Sequence, residues 1–525
     1  MKHDSFFPAK TPRRQDPQKS FAPSRLREKT ERDLLLGIDF GTGGCKVTVI
    51  DPSGAVVESA SGEYPTDHPR PAWAEQEPGD WYRVMCGVLK RLKRRRRIAA
   101  VALDSYTHGA VLLDRSLSVV RPTIIWTDQR SVRECEALKR DHFDLIFKNA
   151  FQAPTPTWTL PQMMWLRNNE PRALKRTRHI LFVKDYVRYL LTGEMACDSI
   201  EAQGTLLWDM RKGIWSEALC ELAGIPLKAL PRIASPTDLA GHITSRAAAD
   251  TGLPEGTPVI MGASDSAVED YAAGAVAPGQ CVLKLATAGN VNVMTAKARP
   301  HRETLTYSHV VPGLWYTVTA TNAAAVCQRW YRDNFCAPGT AYDAIDIEAA
   351  KAPPGSNGVF FHPYLQGERS PYWDANLRGS FTGLSMASTR GDMSRALLEG
   401  VTYSLRDCYR TIEKMKLKVN EFLLIGGGAK SALWSGIVCD LFNAPVKCPA
   451  CCDASFGSAL LAGVGTGVFA DEVSAVKQCL RFDRELRPDP ARAAFYNARF
   501  AHYRTLHDAL APCYRNLAPP LKLER

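Results

Sequence analysis

A chain of 525 residues is too long for one ordinary core, so two large domains are expected. With 45% apolar and 23% charged residues it reads as globular, and no uncharged apolar run approaches the roughly 18 residues that a membrane helix requires. The net charge of +11 is concentrated in residues 1–33, with nine Lys or Arg against five acids, and in KRLKRRRR at 90–97. Fifteen unevenly spaced cysteines suit a reducing compartment, and the N-terminus lacks the apolar core of an export signal, so the cytoplasm is the expected location.

Residues 1–33, rich in Pro, Ser and Lys without apolar periodicity, read as a disordered basic tail. Two strand-like runs follow, 34–40 and 45–50, joined by Gly41-Thr42-Gly43-Gly44, which predicts a β-hairpin with little side-chain bulk at its tip. Such a turn can aim backbone N–H groups at a phosphate, while Asp39 can hold Mg²⁺ through water and the Thr42 hydroxyl can bond a phosphate oxygen. Asp39-Phe40-Gly41 does not signal a protein kinase, because only a polar tail precedes it, and no GxxxxGK followed by Ser or Thr occurs.

Helical spacing over 81–92 makes the basic run at 90–97 the cationic end of a helix, so nucleic acid is not expected as a partner. Strand-like runs at 98–103, 110–113, 181–183 and 258–261 then alternate with helical stretches at 130–140 and 184–192, the pattern of an α/β fold. A second block begins after Gly274, with strands at 281–285, 291–294 and 315–319 and helices at 322–335 and 392–415. It closes on a strand at 421–425 and Gly426-Gly427-Gly428. The hairpin at 37–50 has a weak echo at 283–294, so two related domains facing a cleft would each present a phosphate-binding turn.

The segments WAEQEP (73–78), HGAVLLD (108–114), IIWTDQR (124–130), VKDYVRYLLTGE (183–194), FHPYLQGERSPYWD (361–374), GSFTGLSMASTRGDMSRALLE (379–399) and IGGGAKS (425–431) stand in an order that resembles the FGGY carbohydrate kinases, most closely their xylulokinase branch. The resemblance runs from about 34 to about 505. It implies two actin-like (ribonuclease H-like) ATPase domains around a cleft: a sugar-binding domain at 34–274 and an ATP-binding domain at 275–515. ATP and Mg²⁺ are the implied co-substrate and metal, and a small-molecule sugar the implied partner, with no membrane and with a homodimer left open.

The resemblance assigns Asp265 as the base that takes the proton of the sugar hydroxyl, a step that phosphoryl transfer needs besides positioning and charge stabilisation. It places Asp39 at the metal, Gly41, Thr42, Gly43 and Lys46 at the phosphates, and Thr287 with Gly289 opposite them. Gly426, Gly427, Gly428 and Lys430 fall to the nucleotide, and Thr107, His108, Trp126, Asp128, Asp265 and Ser266 to the sugar. Glu368 and Arg369 read as a structural ion pair. Ser266 replaces the usual Asn, Ala286-Thr287-Ala288-Gly289 the usual Gly-Thr-Ser-Gly, and Gln162 the usual Lys, which leaves the sugar open: a pentulose such as D-xylulose first, gluconate or another sugar acid or polyol second. A kinase-like sugar sensor without turnover is the reading from another class, against which the retained Asp265 argues.

Overall fold

The computed structural model describes residues 32–517; the basic tail read from 1–33 lies outside these except for its last two residues. Two mixed sheets dominate. Counting only their strands, the first contains β1 (Leu34–Gly41), β2 (Gly44–Ile50), β3 (Val56–Glu63), β4 (Ile98–Ser105), β5 (Leu239–His242) and β6 (Pro258–Ile260), in the order β5-β6-β4-β1-β2-β3. The second contains β7 (Gln280–Leu285), β8 (Gly289–Thr295), β9 (Leu305–Ser308), β10 (Trp315–Thr321), β11 (Glu421–Ile425), β12 (Val446–Pro449) and β13 (Phe482–Leu486), in the order β9-β10-β8-β7-β11-β12-β13. This two-domain architecture is the actin-like ATPase fold expected from the sequence.

Strand alternation decides what faces what. Along β1, Leu34, Leu36, Ile38 and Phe40 pack with Trp81, Met85, Val88 and Leu89 of helix α1 (Pro78–Arg91) on the outer face. Leu35, Gly37 and Asp39 therefore face inward. Ala100 and Ala102 of β4 share the inner layer with Leu35, which carries Asp104 to the same side. In the second sheet Val282 lies in that layer and Leu283 in the outer one, so Lys284 also points inward.

Two helices fill the space between the sheets, α2 (Asp265–Ala272) and α3 (Ala454–Gly465). The chain's C-terminal half thus sends α3 back onto the first sheet. Close approach depends on glycine: a Cβ on Gly37 would lie 1.8 Å from the Ser455 carbonyl oxygen, and one on Gly457 2.5 Å from that of Val268. The basic run is the end of α1 and the turn after it, where Glu58 accepts the backbone N–H groups of Lys93 and Arg94 and Arg97 pairs with Asp33.

Candidate active site

The first glycine turn closes β1 onto β2 with Gly41 opposite Gly44. Its backbone is held from behind, because Tyr64 donates to the Gly41 carbonyl and Gln76 Nε2 to the Thr42 carbonyl at 2.7 Å. The Thr42 hydroxyl accepts the Trp126 indole N–H at 2.8 Å, which joins a residue expected at the phosphates to one expected at the sugar. Gly43 is exposed, and a Cβ there would meet nothing within 4 Å, so the tip is open to a ligand. Lys46 stands beside Asp39 across the hairpin and reaches Asp453, the cap of α3, at 3.0 Å.

Asp39 and Asp104 are direct neighbours in register on β1 and β4. Burial pushes the Asp39 carboxyl up to about 7, helped by the charges of Asp265, Glu269 and Asp453 and opposed by its hydrogen bond with Asp104. Asp104, with no exposed surface, is held well above the usual carboxylate range by burial and by Asp39, while Ser458 Oγ of α3 donates to its Oδ2 at 2.6 Å. Two neighbouring buried carboxyls resist ionising together. This donor set suits a hard divalent cation, which would remove that repulsion.

Asp265 is the first residue of α2. Burial and the Glu269 charge push its carboxyl up to about 6, against Lys284 and the Ser266 backbone N–H, which donates to Asp265 Oδ1 at 2.6 Å. A carboxylate poised just below neutral pH is ionised yet basic enough to take a hydroxyl proton. Lys284, from the second sheet, is ion-paired with Glu269 and brings a positive charge to the same place.

Of the residues expected at the sugar, His108 adopts a left-handed backbone conformation at φ 80°, a strained choice for a non-glycine residue. Its Nδ1–H donates to the Gly204 carbonyl, and its Nε2 accepts the Thr107 hydroxyl at 3.0 Å. Burial holds the imidazole down to about 4, so the ring is neutral at physiological pH. Trp126 is 37% exposed beside Thr42.

Asp128 is placed otherwise than the resemblance implied. It has no exposed surface, and both its oxygens are taken: Arg130 bonds them through Nε at 2.9 Å and NH2 at 2.7 Å, and the Ala74 N–H donates at 2.6 Å. Arg130 in turn lies 3.8 Å over the Trp73 ring, so Asp128 holds framework. Glu368 and Arg369 also differ from expectation. Glu368 accepts from the Thr321 hydroxyl at 2.6 Å and from the Asn322 and Arg369 backbone N–H groups, and the guanidinium bonds the Thr321 carbonyl instead of the carboxylate.

The second hairpin, β7 to β8, exposes Thr287 at its tip. The Ala286 and Thr287 carbonyls accept N–H groups at the start of helix Ala325–Phe335. A Cβ on Gly289 would press on Leu405 and Thr321 at 2.8 Å, so this glycine serves packing. Gly426, at φ 95°, abuts the Leu285 carbonyl, and Gly428 abuts Leu285 and Trp434. Gly427 alone of the three is exposed with open space beside it, and Lys430 is exposed nearby.

The sequence reading missed Asp104, Ser458, Asp453 and the Glu269–Lys284 pair. Asp453 carried a usable signal, an acid just before a run of small and apolar residues, the mark of a helix cap.

Comparison with known proteins gives concordant matches. The model of the N-terminal domain of the FGGY family of carbohydrate kinases matches residues 34–270, and that of the C-terminal domain matches 284–466. The xylulose kinase of Lactococcus lactis subsp. lactis is 30% identical over 483 residues, 90% of this chain and 96% of the relative. The gluconokinase of Bacillus subtilis is 27% identical over 449 residues, 82% of this chain and 88% of its own. Among solved structures, a xyloylose kinase from Brucella ovis superposes with a TM-score of 0.84 at 30% identity, covering 91% of this chain and 100% of that one. A gluconate kinase from Lactobacillus acidophilus gives 0.86 at 26% identity, covering 92% and 99%.

Proposed function

Because this chain belongs to the FGGY family of carbohydrate kinases and is an ATP-dependent sugar kinase of the xylulokinase type, we propose that its acceptor is a ketopentose, D-xylulose first, and that Asp265 is its base. The observation that carries the reading is the position of Asp265, at a helix start between two sheets, with Asp39 and Lys284 reaching the same inner layer from opposite sides. A sugar hydroxyl placed against Asp265 gives up its proton to the carboxylate. Its oxygen forms the new bond to the γ-phosphorus, and the bond to the β,γ-bridging oxygen breaks, releasing ADP.

Thr42 and Thr287, one on each hairpin tip, would flank the phosphates, and Lys46 and Lys284 would offset their charge. Gly427 leaves room for the nucleotide, with Lys430 beside it. Mg²⁺, which travels with ATP, would neutralise charge on the phosphates, and Asp39 would hold it. Neutral His108 and Thr107 would bond sugar hydroxyls, with Trp126 against the sugar and Ser266 beside the base. The fifteen free thiols support a place in the reducing cytoplasm. A homodimer is compatible with this reading.

One observation favours a sugar acid as acceptor. Arg369 is half-buried, its Nε has no partner among the described residues, and its charge acts on Tyr307, as does that of Asp265. A coupled ADP-release screen over ketopentoses, polyols and sugar acids tests the proposal. The highest kcat/KM is expected with D-xylulose; a gluconate preference would transfer the assignment to Arg369 and a carboxylate.

A further inference from the structure

A ladder of rings begins at His108 and crosses from one half of the chain to the other. His108 meets Trp158 edge-on at 4.5 Å between centroids, Trp158 stacks on Tyr307 at 6.3 Å, and Tyr307 stacks on Tyr316 at 5.5 Å. Trp158 belongs to the first half of the chain, and Tyr307 to β9, the edge strand of the second sheet.

An edge strand presents unpaired backbone groups, and here two buried glutamines of the first half take them on either side of Tyr307. Gln152 Nε2 donates to the Thr306 carbonyl at 2.5 Å, and its Oε1 accepts the Thr306 N–H at 3.2 Å. Gln203 Nε2 donates to Ser308 Oγ at 2.6 Å, and its Oε1 accepts the Ser308 N–H at 2.8 Å. Tyr307 is thereby fixed relative to His108, although the two lie in different halves of the fold.

Two polar groups on this ladder are left for a ligand or water to complete. Among the described residues, the indole N–H of Trp158, which is 2% exposed, is buried without a partner, whereas Tyr307 is only half-buried and its hydroxyl is not among the buried groups left unpaired. The buried indole donor is costly unless a ligand or water completes it, and the half-buried Tyr307 hydroxyl is free to bond a ligand. The charges of Glu201, Asp265 and Arg369 all act on the Tyr307 phenol, which puts it within electrostatic reach of the base.

We propose that Tyr307 is a specificity-determining residue of the sugar site, its hydroxyl bonding an acceptor hydroxyl while its ring covers the adjoining C–H face. This role rests on the sugar-kinase reading. It also makes sugar recognition depend on both halves of the chain.

The test uses the full chain with Tyr307→Phe, which keeps the ring and its stacking. Steady-state kinetics would be run on the acceptors that the wild type phosphorylates and on their monodeoxy analogues. Loss of one neutral hydrogen bond should raise KM for the sugar about 3- to 10-fold, with a smaller change in kcat and none in KM for ATP. The variant should also stop discriminating against the one deoxy analogue that lacks the partner hydroxyl. A sugar KM equal to that of the wild type, or undiminished discrimination against every analogue, overturns the role. So does a joint shift of melting temperature and both KM values, the mark of a structural part only. Should the Phe variant fail to fold, Tyr307→Leu, which also lacks the hydroxyl, is read in the same way by its discrimination among the deoxy analogues. The two readings fail separately: a wild type that phosphorylates no sugar removes the kinase reading and this role together, whereas an active wild type matched by its variant removes only Tyr307.

Discussion

Lys46 and Asp453, 407 residues apart in the chain, meet at 3.0 Å where α3 begins, joining the first glycine hairpin to the helix that returns from the C-terminal half. Both side chains are partly exposed, at 44% and 32%, so the pair stabilises the fold by no more than about 1 kcal/mol. On the proposed function, its value would lie in holding an ammonium beside the first hairpin turn. Lys46→Met should therefore leave the urea-unfolding free energy nearly unchanged while raising KM for ATP several-fold. A large stability loss with normal KM would make the pair purely structural.

The raised carboxyl of Asp265 sets a pH dependence. Activity should fall on the acid side as the base is protonated near pH 6, read as the acidic limb of kcat/KM. For stability the sign is opposite. Between the unfolded value near 4 and the folded value near 6 the native state binds more protons than the unfolded one, so Asp265 costs more stability as pH rises through that window. Asp265→Asn should raise the melting temperature more at pH 8 than at pH 5. An equal effect at both would contradict the burial that shifts this group.

His108 is neutral throughout the physiological range, so KM for the sugar should be flat from pH 5.5 to 8 apart from the limb due to Asp265. His108→Ala removes the anchor to Gly204 and the Nε2 acceptor, and should raise sugar KM about 10-fold. A KM that tracks a titration near 6.5 would show a charged imidazole at the site.

Asp128 is expected to behave as framework. Removing it takes one of the two carboxylates that hold the buried Arg130 and leaves only Glu75, so Asp128→Ala should cost about 1–3 kcal/mol in chemical denaturation, before any effect on the sugar. Trp126→Phe should retain stability and lose affinity. A stable Asp128→Ala enzyme with only a raised sugar KM would restore Asp128 to the sugar.

Much of the fold was legible in local pattern. The strand runs at 34–40, 45–50 and 281–285 lie within β1, β2 and β7, and the helix expected at 392–415 occupies Arg390–Lys414. What escaped has physical reasons. The helix at Ala454–Gly465 is buried from Ala454 through Gly463 because sheets flank it on two sides, so it shows no apolar stripe to read. The strand-like run at 98–103 extends to Ser105, because the polar Asp104 is accommodated beside Asp39 and Ser458. Local spacing likewise could not show that Asp128 turns back to Arg130, two residues on, or that β9 carries Tyr307 to the rings beside His108.

The most direct test of the central claim is rapid-quench measurement of phosphoryl transfer by Asp265→Asn, with sugar and ATP affinities measured alongside. Loss of a general base should slow the chemical step about 10²- to 10⁴-fold while both ligands still bind nearly as before. A variant that transfers phosphate at half the wild-type rate would contradict the assignment of Asp265, and with it the account of how this cleft works.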